Sequence, residues 1–147
     1  EGGGVLIKNY NMLIMKNAHI IDCTAGSNGG GVCAHGIFKM QGSSTITGCQ
    51  TTGGQGGGVF GSVEMQGGAL VTPTSDKNDV FLTFADKIKV TGALTNEPAA
   101  RITPHSYYER VVVEGASAEE TNFTVTPNGS ETWRCEKVGN ELKLKKN

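Results

Sequence analysis

Apolar residues occur along the first half of the chain in short groups, separated by clusters of Gly, Ser, Thr and Asn. Residues 32–34, 37–40 and 44–47 are such groups, and they contain β-branched or aromatic side chains. Short runs of this kind bounded by turn residues predict short β-strands. The i, i+3, i+4, i+7 apolar spacing of an amphipathic helix is not found, so the pattern predicts an all-β chain.

The short strands belong to a repeat. The sequence Gly-Gly-Gly-Val begins at Gly2, Gly29 and Gly56, so both intervals are 27 residues. Within these units Met40 follows Met15 by 25 residues, and Met65 follows Met40 by 25. A fixed period of 20–50 residues is typical of a solenoid. We therefore expect a coil of parallel strands with one unit per turn and turns stacked about 4.8 Å apart.

Stacking places each residue on its equivalent in the next turn, which predicts ladders of like side chains. One inward ladder should contain Val5, Val32 and Val59. A second should contain the residues Ile20, Ile46 and Leu70. The glycine triplets are expected where the backbone turns through positive φ or passes close to the neighbouring turn.

The second half of the chain has the features of a solenoid end. Residues 87–90 and 142–145 alternate charged and apolar side chains, and Gly139-Asn140 is a plausible hairpin turn between two strands. We predict that residues 1–75 form three repeats and that residues 76–147 add one or two degenerate coils and a C-terminal antiparallel cap. Phe123 and Trp133 are the expected buried anchors of that cap. Because the chain starts inside a repeat, further upstream rungs are expected as its neighbours.

These motifs resemble a known family. The Gly-Gly-Gly-Val units, with Phe38-Lys39-Met40-Gln41-Gly42 and Ile46-Thr47-Gly48, are similar to right-handed parallel β-helix proteins of the pectin-lyase-like type. They most resemble bacterial surface proteins with polymorphic-outer-membrane-protein-like repeats, including those of treponemes. The segments 78–82, 88–94 and 100–104, and the block 122–127 with Trp133, resemble the C-terminal end of such proteins. The resemblance implies a right-handed parallel β-helix at the bacterial cell surface or outside the cell, with presumed adhesins and virulence factors among its members.

Composition and charge exclude several functions. Of the 22 glycines, 18 lie in residues 1–75, a content that without the repeat would indicate a disordered linker. The 13 basic and 14 acidic side chains nearly cancel, which gives no reason to expect nucleic acid as a partner. No apolar run reaches the roughly 20 residues of a transmembrane helix, and the first residues lack the pattern of a signal peptide.

The four cysteines leave two possibilities open. Cys23 and Cys49 occupy matching repeat positions, so they should stack on adjacent turns at a separation that a disulfide can bridge. The alternative is a ladder of free thiols that pack as small apolar side chains. Neither Cys-x-x-Cys nor His-x-Cys occurs, and the histidines are scattered, so no metal site is predicted. The three histidines are His19, His35 and His105.

The sequence predicts no catalytic residues and no cofactor. The run Gly53-Gly54-Gln55-Gly56-Gly57-Gly58 lacks the Gly-Lys-Ser/Thr of a phosphate loop and is interpreted as a turn. Glycoside hydrolases need two carboxylates about 5–9.5 Å apart, and stacking the repeats gives no such pair. A solvated loop is the expected environment of the boundary acids Asp76, Asp79 and Asp86.

The remaining expectation is a non-catalytic β-helix module, a structural rod or adhesin that presents a binding surface to a host molecule or glycan. A glycan-binding module and a fragment of a polysaccharide-lyase-like enzyme are the alternatives. A row of aromatic side chains on one outward face would favour glycan binding, and a carboxylate cluster in a cleft would favour the enzyme. The candidate surface residues are Tyr10, Tyr107, Tyr108, Gln41 and Gln55.

Overall fold

The computed structural model describes residues 1–73 and 77–147 and is built almost entirely of short strands. The first turn contains β1 (Val5–Ile7), β2 (Met12–Lys16), β3 (His19–Ile21) and β4 (Thr24–Ala25). The second contains β5 (Val32–Ala34), β6 (Ile37–Gln41), β7 (Thr45–Thr47) and β8 (Gln50–Thr51). The third contains β9 (Val59–Phe60), β10 (Val63–Gly67) and β11 (Leu70–Val71). The fourth contains β12 (Val80–Leu82) and β13 (Ile88–Leu94), and the fifth β14 (Ala100–Pro104) and β15 (Val111–Glu114).

The last part of the chain closes the solenoid. A 3₁₀ turn over Glu120–Asn122 leads into β16 (Phe123–Val125), which is followed by β17 (Trp133–Val138) and β18 (Glu141–Lys146). Gly139 and Asn140 form the two-residue connection between the last two strands, as expected. Strand β18 pairs antiparallel with both β15 and β17, so the hairpin continues the sheet beyond β15 with β18 running opposite to the strands of the repeats.

Equivalent strands of successive turns pair in parallel. The first sheet has the order β1-β5-β9-β12-β14-β16. The second has the order β2-β6-β10-β13-β15 and then continues into the terminal hairpin, while β3-β7-β11 and β4-β8 make two smaller sheets. This arrangement is a right-handed parallel β-helix of about five turns and confirms the predicted fold class. Among the described residues, no helix has the length and apolar character needed to cross a membrane.

The predicted ladders are present, with one correction. Val5 pairs with Val32 and Val32 with Val59, and the row continues inside the coil to Val80 and Ile102. In the smaller sheet Ile46 pairs with Val71, and Leu70 pairs with Thr45 instead. The prediction that Leu70 continues the Ile20–Ile46 ladder is therefore wrong by one residue.

The lengths of the turns explain that shift. Six residues separate Met40 from Ile46, and six separate Met65 from Val71, whereas five separate Met15 from Ile20. The third turn has the same six-residue spacing between its methionine and the next inward residue as the second turn. The inward residue of β11 is therefore one position later than the spacing of the first turn predicts. Val71 is accordingly fully buried, and Leu70 is only half-buried.

The glycine triplets lie where neighbouring turns come closest. The first glycine of each triplet has positive φ, at +67°, +71° and +68° for Gly2, Gly29 and Gly56. The second has no room for a side chain: a Cβ on Gly30 would lie 2.3 Å from the carbonyl oxygen of Gly57. The structure therefore shows both features that were expected to require glycine here, the positive φ and the close approach of neighbouring turns.

Candidate binding face

The outward side chains of the first sheet include a stack of aromatic rings. Register pairs Phe60 with Cys33 on one side and with Phe81 on the other, while the alternate residues point into the core. The rings of Phe60 and Phe81 are stacked, with centroids 5.6 Å apart and planes 7° from parallel. The outer face of this sheet therefore carries an aromatic column along the solenoid axis.

Further rings extend this column at both ends. His35 meets the edge of Phe60 at 6.2 Å, and His105 meets Phe81 at 6.2 Å. Phe84 then packs against His105, with centroids 4.2 Å apart and planes at 66°. We call the five residues His35, Phe60, Phe81, Phe84 and His105 the aromatic row.

Exposure differs along the aromatic row. Phe81 retains 7% of its accessible surface because its neighbours cover it, whereas Phe84 is 63% exposed. Phe60 is half-buried, and both histidines are exposed. The row thus combines a packed centre with a free phenyl ring that a ligand could contact.

A small polar cavity of about 210 Å³ lies on the same side of the solenoid. Thr103, which follows Phe81 in the outward register, lines it together with Gln55, Asp79 and Gly57. The carboxylate of Asp79 accepts a 2.8 Å hydrogen bond from the Gly57 amide and is 6% exposed. Burial raises the pKa of Asp79 above its ordinary value, against the lowering effect of the hydrogen bonds from Thr103 and Gly57.

The interpretation of the boundary acids as a solvated loop is wrong for Asp79, whereas Asp86 is a half-buried residue of the loop between β12 and β13. Asp79 is buried, and its backbone carbonyl also accepts hydrogen bonds from the amides of Gly58 and Val59. Asp86 accepts a 2.8 Å hydrogen bond from the Ser62 hydroxyl and a 3.1 Å bond from the Thr83 amide. Both carboxylates accept hydrogen bonds from backbone amides of the turns. The lysines that lie near these acids in the sequence give no indication of such bonds. Asp76 lies outside the described residues.

The second sheet carries charges on its outer face. Lys39, Glu64 and Lys89 pair in successive turns, and Glu114 follows Lys89 in the same register. A groove of about 380 Å³ runs beside them. Lys39 lies 3.2 Å from the Glu64 carboxylate, and Lys87 forms an ion pair with Glu114. The groove therefore holds two carboxylates, each matched by an ammonium group. Stacking of the repeats does not predict this pair, because Glu114 lies in the second half of the chain.

A mixed cluster of donor atoms lies at the start of the first sheet. His35 Nε2 is 3.3 Å from the Glu1 carboxylate and 3.4 Å from Cys33 Sγ. The Cys33 side chain is fully buried, and burial together with the nearby charge of Glu1 raises the pKa of its thiol. Sequence spacing could not bring this cluster together, because Glu1 and Cys33 are 32 residues apart and lie on different turns.

The cysteines of the predicted disulfide are both thiols in the structure. They lie on adjacent turns, where the Gln50 amide donates a 3.0 Å hydrogen bond to the carbonyl of Cys23. Burial raises the pKa of Cys49, and its contact with the Cys23 side chain raises it further. The disulfide between Cys23 and Cys49 stays a prediction.

The five predicted surface residues are dispersed. Tyr10 is fully exposed between β1 and β2, and Tyr108 is 48% exposed between β14 and β15, four turns away or about 19 Å along the axis. Tyr107 is half-buried: its hydroxyl donates a 2.8 Å hydrogen bond to the carbonyl of Thr126. Gln41 is half-buried on the outer side of β6, while Gln55 is exposed and lines the cavity of Asp79.

Comparison of the chain with protein-family models, with curated proteins and with solved structures finds no match. What this β-helix can bind therefore has to follow from its own geometry. The aromatic row is the feature of that geometry which sequence reasoning missed. Phe60 and Phe81 are 21 residues apart, so they do not repeat with the 25–27-residue period of the first three turns.

Proposed function

We propose that this chain is a non-catalytic β-helix module of a bacterial cell surface or the extracellular space, which presents the outer face of its first sheet as a binding surface. The resemblance of its glycine-rich repeat motifs to polymorphic-outer-membrane-protein-like repeats, including those of treponemes, and to pectin-lyase-like β-helices supports this location. The aromatic row is the observation that carries the binding role, because a ring 63% exposed at the end of a packed aromatic column is a ready contact for a ligand.

A glycan is the ligand class that this face favours. The C–H groups on one side of a sugar ring can pack on the Phe84 ring and bury apolar surface. Polar partners for sugar hydroxyls lie on the same side of the solenoid, where Gln55, Asp79 and Thr103 line a cavity of about 210 Å³. This combination of a ring and convergent polar groups fits an adhesin for a host or bacterial glycan better than a featureless rod.

The enzyme alternative has weaker support. The groove on the second sheet brings Glu64 and Glu114 together, and a carboxylate pair in a cleft is what a glycosidase requires. Each of these carboxylates is engaged by a lysine, at 3.2 Å for Glu64 and Lys39. The pairing therefore supports a structural role for these acids.

A glycan array tests the proposal. Labelled protein should be retained by at least one class of glycan, and the Phe84→Ala variant should lose that retention. The same glycans, incubated with the protein and then separated by chromatography, should keep their length. Wild-type protein that is retained by no glycan would contradict the glycan assignment, and shortened products would contradict the non-catalytic one.

A further inference from the structure

Three metal-ligating atoms converge at the open end of the aromatic row. His35 Nε2 lies 3.3 Å from Glu1 Oε2 and 3.4 Å from Cys33 Sγ. All three donor atoms lie within 4.8 Å of one another. They come from two turns of the coil, because Glu1 precedes β1 while Cys33 lies in β5 and His35 directly after it.

The two separations from His35 Nε2 match the edges of a zinc tetrahedron. Zinc binds cysteine sulfur at about 2.3 Å and histidine nitrogen or carboxylate oxygen at about 2.0–2.2 Å. At tetrahedral angles these bond lengths place sulfur about 3.5 Å from nitrogen and nitrogen about 3.3 Å from oxygen. The observed separations differ from these by about 0.1 Å or less. We propose that Glu1, Cys33 and His35 bind one zinc ion, with the fourth position left to water.

The charges of this donor set suit a divalent ion. On binding, the Cys33 S–H bond breaks, the Zn–S bond forms and the proton passes to water. The thiolate and the Glu1 carboxylate then balance the two charges of zinc, and His35 contributes as a neutral ligand. The His35 ring is held by its edge contact with Phe60 at 6.2 Å, so the ligand is positioned before the metal arrives.

Zinc at this position would join the first turn to the second. A metal bond from Glu1 to β5 would link the segment before β1 to the second turn. The expected role is a clip that stabilises the packing of these two turns, independent of what the aromatic row binds.

Cobalt(II) titration of untagged, reduced protein tests the site. The expected result is one equivalent bound, with tetrahedral d–d bands and a thiolate-to-cobalt charge-transfer band, and displacement of cobalt by zinc. Cys33→Ser and His35→Gln should each weaken cobalt binding by at least about tenfold. A loss of about tenfold is the smallest that is typical when a residue that only hydrogen-bonds to a metal ligand is removed, so loss of a ligand itself should cost at least as much. His35 is 38% exposed, so its variant should fold even if that of Cys33 does not.

Cys23→Ser is the matched control, because it removes one thiol of the Cys23 and Cys49 pair and leaves the three proposed zinc ligands in place. Its cobalt spectrum and affinity should equal those of the wild type, and zinc should raise the unfolding temperature of both proteins but not that of His35→Gln. Absence of the charge-transfer band, or a band that survives His35→Gln at wild-type affinity, would overturn the proposal. Loss of the band in Cys23→Ser would place the metal at Cys23 and Cys49 instead, and would also overturn the proposal.

Discussion

Phe60 and Phe81 lie on adjacent turns of the coil with ring centroids 5.6 Å apart and planes 7° from parallel. Such a stack contributes about 0.5–1.5 kcal/mol beyond the apolar area that it buries. It also adds a side-chain contact to the backbone pairing of β9 and β12, two strands that do not follow the sequence repeat. The same contact is thus a structural element of the fourth turn and the centre of the proposed binding face.

Removal of a ring from the aromatic row should cost stability in proportion to its burial. Phe81→Ala should lower the free energy of unfolding by about 3 kcal/mol, because the ring is 7% exposed and leaves a cavity. Phe84→Ala should change it by no more than about 0.5 kcal/mol, since that ring is 63% exposed. Urea denaturation measures both, and equal losses would contradict the described packing.

Asn78 should be a key polar residue of the interior. Its side chain is 1% exposed and makes three hydrogen bonds: its amide donates to the carbonyls of Ile46 and Thr72 at 2.9 and 2.8 Å, and its oxygen accepts from the Cys49 amide at 3.1 Å. Asn78→Ala removes the acceptor of the buried Cys49 amide and a donor to the Thr72 carbonyl, while the Ile46 carbonyl keeps its bond from the Thr72 amide. We therefore expect a loss of about 3 kcal/mol in the free energy of unfolding.

Asn28→Ala provides the comparison for Asn78. The Asn28 oxygen accepts a single bond of 3.0 Å, from the amide of the exposed residue Gln55. Water can replace that contact, so the loss should be about 1 kcal/mol or less. If the two alanine variants unfold at the same urea concentration, the interior role of Asn78 is wrong.

Close approach of the turns at Gly57 should forbid any side chain there. A Cβ on Gly57 would lie 1.3 Å from the carbonyl oxygen of Lys77, whereas a Cβ on Gly26 would meet no atom within 4 Å. Gly57→Ala should therefore lower the free energy of unfolding by about 3 kcal/mol or prevent folding. Gly26→Ala should be neutral or slightly stabilising, and thermal unfolding followed by circular dichroism compares the two. A Gly57→Ala protein as stable as the wild type would contradict the stacking of these turns.

Asp79 should make stability depend on pH. Because burial raises its pKa in the folded state above that in the unfolded chain, the folded state holds the proton more tightly. The resulting stabilisation is present below the unfolded value of about 3.9 and is lost as pH rises through the folded pKa. Asp79→Asn removes this titration and keeps an oxygen acceptor for the Gly57 amide. Relative to the wild type, the variant should gain stability as pH rises from about 4; urea midpoints that show a pH-independent difference would contradict this.

The repeat in the sequence predicts the first three turns well for a physical reason. The glycine triplets lie where the backbones of neighbouring turns nearly touch, and the Met15–Met40–Met65 ladder fills the same place in the core of each of the first three turns. These constraints recur with the coil, so they are visible as a period. The Leu70 error shows the limit: a change of one residue in a turn moves the inward position to Val71.

The candidate sites could not be predicted in the same way. The aromatic row depends on a third turn that is shorter, with Val80 only 21 residues after Val59, and so has no period to reveal it. The cluster of Glu1, Cys33 and His35 joins two turns through side chains that do not repeat. Asp79 follows the charged residues Asp76 and Lys77 in the sequence, yet its side chain is buried and accepts a hydrogen bond from the Gly57 amide.

The affinity of one array-selected glycan for four proteins tests the account most directly. Titration calorimetry should give binding to the wild type and to Tyr10→Ala with equal affinity, because Tyr10 is exposed but lies outside the aromatic row. Phe84→Ala should weaken binding by at least about tenfold, corresponding to roughly 1.4 kcal/mol, and Gln55→Ala should weaken it to a smaller extent. Undiminished binding by Phe84→Ala, or loss of binding in Tyr10→Ala, would contradict the assignment of the binding face to the first sheet.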